Sequence, residues 1–464
     1  MDARDEQIAE GNRRIAELEC ELAALKQMLQ TMKEQLERNS RNSGRPPSGD
    51  SPQQRSERRG KGGSGGKAGG QRGHSGSKRE LLSADQVDEF KNLFPPRCES
   101  CWASLPETAD PSAQRFQTIE LPQPRPYVTE WVRHCVRCPS CDYETMASNA
   151  SIPSTPFGPR LSSVTALLTG VFHLSRRSTV KLLSDVLGVE ISLGAVSAVE
   201  GRVSEAVKDA VAESWSSVEE APVKHTDGTS WYQSNVLCAL WTIATSMATV
   251  FKILTNGRAM TLEPLFGKKL GTLVSDRATA LNFWAMEKRQ ICWAHLLRKA
   301  VSFSEREGPT GVIGRELLDY IGILFDYWHQ FKVGQLSREQ LRKLMAPVRL
   351  QLETLLERGR DARLRQLSGS CADMLEHRAA LWTFVEQHGV EPTNNHAERE
   401  LRAFVLWRKR SFGTQSERGN LFAERLMTVA HTARKQNRNV LEFLTACCTA
   451  ARNGDAPPSL FAPA

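Results

Sequence analysis

Residues 391–413 read EPTNNHAERELRAFVLWRKRSFG. Pro392 closes off what precedes it. Thr393, Asn394 and Asn395 are residue types that begin helices, because their side chains accept hydrogen bonds from free amides. Beyond them Ala397, Leu401, Phe404 and Val405 fall on one face, which predicts an amphipathic helix with that face buried. Glu398, Arg399, Arg402, Arg408, Lys409 and Arg410 fill the rest. A single carboxylate at the start of a helix thus faces a dense set of cations. Two readings follow. Asn395-x-x-Glu398 has the spacing of a capping box, and Glu398 to Arg402 that of an ordinary i,i+4 ion pair. Alternatively, Glu398 belongs with Asp227 and Asp276, each of which stands near the end of an apolar, strand-like run. Three carboxylates so placed have the donors for two divalent cations, and the basic helix face suits a polyanion.

The 464 residues are enough for two or three domains, and an ordinary apolar content predicts a sizeable core. The net charge of +8 is unevenly spread, which favours a nucleic-acid partner over an acidic small molecule. Eleven cysteines are too few for a disulfide scaffold of this length, and five of them crowd between Cys98 and Cys141. The charged opening MDARDEQIAE lacks the pattern of a signal peptide. The uncharged run Val236 to Phe251 contains several Thr and Ser residues and is short against the roughly 20 apolar residues of a bilayer span. It reads as paired strands, with no membrane partner. A cytoplasmic protein with reduced cysteines is expected.

From the N-terminus, Ile8, Ile15, Leu22, Leu29 and Leu36 recur every seven residues, with Leu18, Leu25 and Met32 at the alternate positions. This is a heptad pattern, broken at Gly11, and it predicts an oligomerising coiled coil over 1–38. Residues 39–80 collapse to Arg, Lys, Gly, Ser, Pro and Gln and predict a disordered basic linker. Cys98-x2-Cys101 and Cys138-x2-Cys141 place thiolate pairs on two tight turns, the pattern of a structural zinc site, with Cys135 as a further possible partner. A small zinc-binding module over 81–156 follows, built of short strands and loops because prolines are frequent. Over 157–220 three amphipathic helices are expected, broken at Gly188 and restarted at Ser192, an arrangement that suits a helix-turn-helix.

Then the texture changes. Val223 to Thr229, Val236 to Thr245 and Ala248 to Leu254 read as strands, Gly257 to Phe266 as a helix, Leu270 to Ser275 and Gln290 to Trp293 as strands, and a helix starts near His295. This is an α/β arrangement. Leu317 to Val385 reads as helical throughout, an all-α insertion over 301–390 between the two parts of a core, 221–300 and 391–415. A C-terminal helical segment, 416–464, ends the chain. The whole is a multidomain α+β chain. Its two aspartates on strands and one glutamate on a helix are the parts of a two-metal site. Two hard ions roughly 3.5 to 4 Å apart activate a water or a 3′-hydroxyl and steady the leaving oxygen of a displacement at phosphorus.

At these residues the chain resembles the transposases of the bacterial insertion sequence sixty-six family. The leucine-rich N-terminus, basic linker and CPSC (Cys138 to Cys141) match in order, as do FGPRLSSVTALLTG from Phe157 and LGVEISLGAVS from Leu187. The most specific matches are DGTSW from Asp227, SDRATA around Asp276, CWAHLLRK from Cys292, and NNHAERELR from Asn394 with WRKRSFG after it. The resemblance implies a ribonuclease-H-like catalytic core whose acidic triad falls on Asp227, Asp276 and Glu398. It also implies the helical insertion before the third acid, and nucleoid-associated work on DNA. Many relatives follow the first acid with Glu-Thr-Gly, whereas here Gly228, Thr229 and Ser230 follow it.

The expected cofactors are two Mg²⁺ (or Mn²⁺) held by the three acids, and a structural Zn²⁺ held by Cys98, Cys101, Cys138 and Cys141. The expected partners are the element's terminal inverted repeats, target DNA, further copies of the chain and accessory proteins of the same element. Cys292-x2-His295 has metal-pair spacing, but no second pair lies nearby in sequence. His295 is expected either to contact phosphate or an acidic side chain at the active site, with Arg298 and Lys299 extending that face, or to pack at a strand-to-helix junction. Arg298, Arg399, Arg402, Arg408 and Lys409 are the expected DNA or active-site contacts. Two functions remain open at this level: an enzyme that cuts and joins DNA, and a DNA-binding scaffold or repressor without catalysis.

Overall fold

The computed structural model describes residues 79–149 and 152–461, together with Asn39 and a set of positions between Arg14 and Lys33. The heptad positions Ile15, Leu18, Leu22, Leu25, Leu29 and Met32 lie in helix and are exposed. Ile8, Gly11, Leu36 and nearly all of the linker lie outside the described residues. Among the described residues no helix is long and apolar enough to cross a membrane.

The chain is a mixed α+β structure. Its sheet has five strands in the order β5-β4-β3-β6-β7. These are β3 (Val223–Gln233), β4 (Val236–Ala244), β5 (Thr249–Leu254), β6 (Thr272–Ser275) and β7 (Arg289–Ile291). β1 (Cys135–Arg137) and β2 (Glu144–Met146) form a separate antiparallel pair. β3, β4 and β5 are antiparallel, whereas β6 and β7 run parallel to β3. The first strand runs past its expected end at Thr229, because Trp231 is buried and Ser234 and Asn235 take positive φ in a two-residue hairpin turn. The helix expected over 257–266 is only one α turn (Ala259–Leu262) and a 3-10 turn, since Pro264 cannot donate the next backbone bond.

Alternation along the strands builds two cores, one on each face of the sheet. On one face Leu240, Phe251 and Ile253 meet Leu401, Phe404, Trp407 and Met427. On the other, Trp241, Ile243 and Val250 meet Val218, Phe266 and Trp284. The helices begin where side chains cap them: Ser175 opens α2 (Arg176–Leu187), Ser192 opens α3 (Leu193–Ala206), and both accept from the amide three residues on. They follow α1 (Pro159–Ala166), and α4 (Lys208–Glu220) leads into the sheet. Gly188 ends α2 in the left-handed conformation, as its sequence position predicts. In α1 the fully buried face is the small one, Ser162, Ser163, Thr165 and Ala166, and the leucines are only partly covered.

After β7 come α5 (Trp293–Ser304), α6 (Gly308–Lys332), α7 (Arg338–Asp361) and α8 (Leu367–Glu376). Their apolar faces form one large cluster that reaches back to Val274 and Ile291 in β6 and β7. The chain then returns to the sheet as α9 (Asn395–Ser411), α10 (Glu417–Lys435) and α11 (Val440–Asn453). Helices α1, α2 and α3 share a core with α10 and α11, so the segments 157–220 and 416–461, separate in sequence, are one body in space.

Helix α10 also closes the free edge of β5. The amides of Ile253, Phe251 and Thr249 donate to Glu424 Oε1 (2.8 Å), Thr428 Oγ1 (3.2 Å) and Thr432 Oγ1 (3.1 Å). Every second residue of a strand advances about 6.7 Å and every fourth residue of a helix about 6 Å, so the two rows stay in step for three bonds.

Candidate active site

The central strands set the site. Because His225 pairs with Val274 in the parallel β3–β6 ladder, the residues two further on, Asp227 and Asp276, arrive side by side. Ser275 pairs with Ile291 in the next parallel strand, which brings Cys292 alongside Asp276. Three neighbouring strands therefore carry an aspartate within β3, just past the end of its parallel pairing, and an aspartate and a cysteine immediately after the carboxyl ends of β6 and β7. Loops at such strand ends are where open α/β sheets place ligands.

Helix α9 brings Glu398 to the same place. Its start is pinned by three bonds: Trp293 N to Pro392 O (2.8 Å), Asn394 N to Cys292 Sγ (3.1 Å) and Asn394 Nδ2 to Thr226 O (2.7 Å). The capping-box expectation for Asn395 is not met. The N-cap is Asn394, whose side chain caps nothing and instead reaches β3, one residue before Asp227. The expected Glu398–Arg402 contact is replaced too. Glu398 Oε2 lies 3.5 Å from Arg298 and its Oε1 lies 3.7 Å from His295 Nδ1, both from α5. The buried face of α9 includes Trp407, and Val405 is only half-buried.

Electrostatics mark the three acids as one unit. Burial pushes the Asp227 carboxyl up to about 7, and the nearby Asp276 and Glu398 push it the same way. Burial, with Arg298 adding to it, lowers the His295 pKa, so the imidazole is neutral at pH 7. Asp276 is steadied by the Ala278 amide (2.9 Å) and by the fully buried Arg289, which donates to the Asp276 carbonyl and to Ser275 Oγ (each 3.1 Å). Arg289 was not singled out by sequence, where it stands beside Lys288 and Gln290 and carries no local signal of burial. A pocket of about 410 Å³ opens beside Asp227 and Asp276, with Trp241 and Asn256 in its wall. Gly228 is closely packed there: a Cβ would sit 3.0 Å from the Trp241 indole paired with it across the ladder, which would have to give by a few tenths of an ångström.

The basic residues divide. Arg399, Arg402 and Lys409 are exposed on α9. Arg408 is half-buried and bonds Thr229 Oγ1 (3.1 Å) and Ser230, so it ties α9 to the strand of Asp227. Arg176 is paired with the buried Glu200 of α3 (2.5 Å), which leaves Arg177 and Lys181 exposed on α2.

The four cysteines of the N-terminal pairs form two matching knuckles. Cys98 donates to Ala103 O and accepts from Trp102 N, and Cys138 does the same with Tyr143 and Asp142. Trp102 and Asp142 both take positive φ. The Ser100 and Cys101 amides lower the Cys98 thiol pKa, and those of Ser140 and Cys141 lower that of Cys138. The structure does not bring the two knuckles together. Among the described residues the cluster of three metal-ligating side chains lies elsewhere, at Cys292, His295 and Glu398.

Against known families, the model described as Transposase IS66 family matches residues 155–421, more than half of the chain. The model described as Family of unknown function (DUF6444) matches residues 2–80. No curated protein matches the chain.

Proposed function

The chain belongs to the Transposase IS66 family, and from that premise we propose that it cuts DNA at the ends of its element and joins the freed ends to a target. The carrying observation is the register that sets Asp227 beside Asp276, with Glu398 brought over them by α9. Three carboxylates are an all-oxygen donor set suited to Mg²⁺ or Mn²⁺. Burial raises Asp227, and the two neighbouring carboxylates add to it, which suits a site that takes up positive charge. When bound, two hard cations supply an activated water or 3′-hydroxyl and a stabilised leaving oxygen.

The chain's own residues do the positioning. Strands β3 and β6 hold two carboxylates on rigid backbone, and Asn394 fixes the helix that holds the third. Arg298 keeps Glu398 turned toward the strand ends. Neutral His295 and the exposed Arg399, Arg402 and Lys409 supply donors and positive charge for the phosphates of a bound strand.

The remaining assignments extend this reading. The core (221–300 and 391–415) is ribonuclease-H-like, with 301–390 inserted in it. Helices of 157–220 contact the terminal inverted repeats in the manner of a helix-turn-helix. The two knuckles of 81–156 close on one structural Zn²⁺, whose donors fit it as two polarised thiolate pairs. The heptads of 1–38 pair copies of the chain, joined to the rest by the basic linker of 39–80. The test is a metal-dependent cleavage assay beside a binding assay on the same end-containing DNA. Glu398→Gln is expected to abolish cleavage and joining and to leave binding intact. Near-normal cleavage by that variant would remove Glu398 from the set and leave it a structural residue of α9.

A further inference from the structure

Cys292 and His295 were set aside as a metal pair because no second pair lies near them in sequence. The fold supplies a third ligand from α9. One ligand atom each of Cys292, His295 and Glu398 lies within 4.8 Å of the others. His295 Nδ1 and Glu398 Oε1, 3.7 Å apart, are both shielded from solvent, and neither has a hydrogen-bond partner. Two buried polar atoms facing each other without a partner are costly unless something sits between them. The third corner is the fully buried Cys292 sulfur, which the Asn394 amide approaches at 3.1 Å. Burial pushes the Cys292 thiol up to about 11, with the Asn394, His295 and Ala294 amides acting in the opposite sense, so the sulfur gives up its proton as the ion binds.

We propose that Cys292, His295 and Glu398 form a second cation site that takes a thiophilic divalent ion such as Zn²⁺, and that its occupation competes with the hard-ion set for the one carboxylate they share. The donors decide the ion. Mg²⁺ asks for oxygen alone, whereas one thiolate, one imidazole and one carboxylate suit zinc, with a fourth position left for water. Tetrahedral zinc with bonds of about 2.0 to 2.3 Å needs ligand atoms about 3.3 to 3.7 Å apart, so His295 and Glu398 already have the spacing and the sulfur closes in by about 1 Å. The two oxygens of Glu398 are divided between neighbours, Oε2 to Arg298 and Oε1 to His295. An ion bound through Oε1 turns the carboxylate toward Cys292 and away from Asp227 and Asp276. Zinc bound there holds the enzyme off while leaving its DNA-binding surfaces untouched.

The competition rests on the proposed catalytic role of Glu398, whereas the binding does not, and the two are read separately. Binding is measured on the full chain by ¹¹³Cd NMR, with Cd²⁺ as the probe. The expected spectrum holds a resonance for a one-sulfur N/O site, distinct from any four-sulfur site in the N-terminal knuckles. It persists in the Cys98→Ser/Cys138→Ser protein and disappears in Cys292→Ser. Absence of that resonance in the wild-type chain overturns the site without recourse to any variant. So does its survival in Cys292→Ser. Competition is measured by titrating Zn²⁺ into Mg²⁺-dependent cleavage, each protein read against its own activity in zinc-free buffer. Half-inhibition is expected at a zinc concentration at least tenfold higher in Cys292→Ser and to shift upward with Mg²⁺. Equal inhibition of both proteins overturns the competition. A wild-type chain that binds cadmium at the one-sulfur site but never cleaves retains the site and refutes the catalytic reading instead.

Discussion

Residues 79–149 and residues 223–298 both carry metal-ligating side chains, and they hold them in opposite ways. In the first region two knuckles form from local sequence alone, and almost nothing else is buried: Phe116 is 88% and Tyr127 is 96% exposed. In the second region the ligands come from strands and helices far apart in sequence, and a dense core fixes each one, with Trp231 and Leu240 fully buried. A CxxC motif dictates its own turn but cannot bring a second turn to it. Convergence needs buried apolar area or a cation, and the first region lacks the buried area. The sheet region has it, so its carboxylates meet without an ion.

Four experiments press on that contrast. The largest effect is expected from Asp276→Asn. Losing one hard ligand should lower strand cleavage about 10³-fold or more, equivalent to about 4 kcal/mol of transition-state stabilisation. Adding Asp227→Asn should lower it little further, because the residues act as one unit. A drop of less than tenfold in a single-turnover assay would break the idea of a preformed acid cluster.

Next in size is the core. Trp231→Ala should cost about 3 to 5 kcal/mol, while Phe116→Ala should cost close to nothing in the same denaturant titration. Similar costs at both positions would mean that the N-terminal region has a core of its own.

A smaller effect is expected at the strand edge. Thr428→Val keeps the shape but leaves the Phe251 amide without its acceptor, at a cost of about 1 to 3 kcal/mol.

The last is a pH effect. In the absence of divalent ions Asp227 keeps its proton up to about 7, against an ordinary value of 3.8. The folded state therefore binds the extra proton between those values, and the contribution of this group to stability falls as pH rises from 4 to 7. Asp227→Asn should flatten that fall, and Mg²⁺ should do the same in the unmodified chain. Denaturation midpoints at pH 5 and 7.5, with and without Mg²⁺, measure it.

What was legible in the sequence was whatever one segment determines by itself. The burial of Leu401 and Phe404 on α9, the break at Gly188 and the restart at Ser192 follow from local periodicity and capping chemistry. The misreadings at the site occur where a distant segment took over a side chain, whereas the shortened helix at Pro264 and the lengthened β3 have local causes. Asn394 has the chemistry of a helix cap, but the carbonyl of Thr226 takes its amide group, so the cap that composition predicts is never made. Glu398 has Arg402 one turn away on its own helix, but Arg298 and His295 arrive from α5. Cys292 and His295 looked like a pair without a second pair because Glu398, which the fold sets beside them, lies beyond the whole helical excursion. The expected α/β pattern was right in kind, yet the order β5-β4-β3-β6-β7 was not readable, because strand pairing is set by which faces the later helices cover.

Helix α10 has one further consequence. Its residues Glu424, Thr428 and Thr432 hold the β5 edge, Ala423 and Met427 belong to the core over the sheet, and Leu426, Val429, Ala430 and Ala433 belong to the helical body of α1, α2 and α3. A single helix thus joins the sheet to the helical body, buried along most of its length with Glu417, Arg418 and Arg434 exposed near its ends. Growth of the sheet by an added strand is blocked at β5, because the three edge amides already have acceptors on α10.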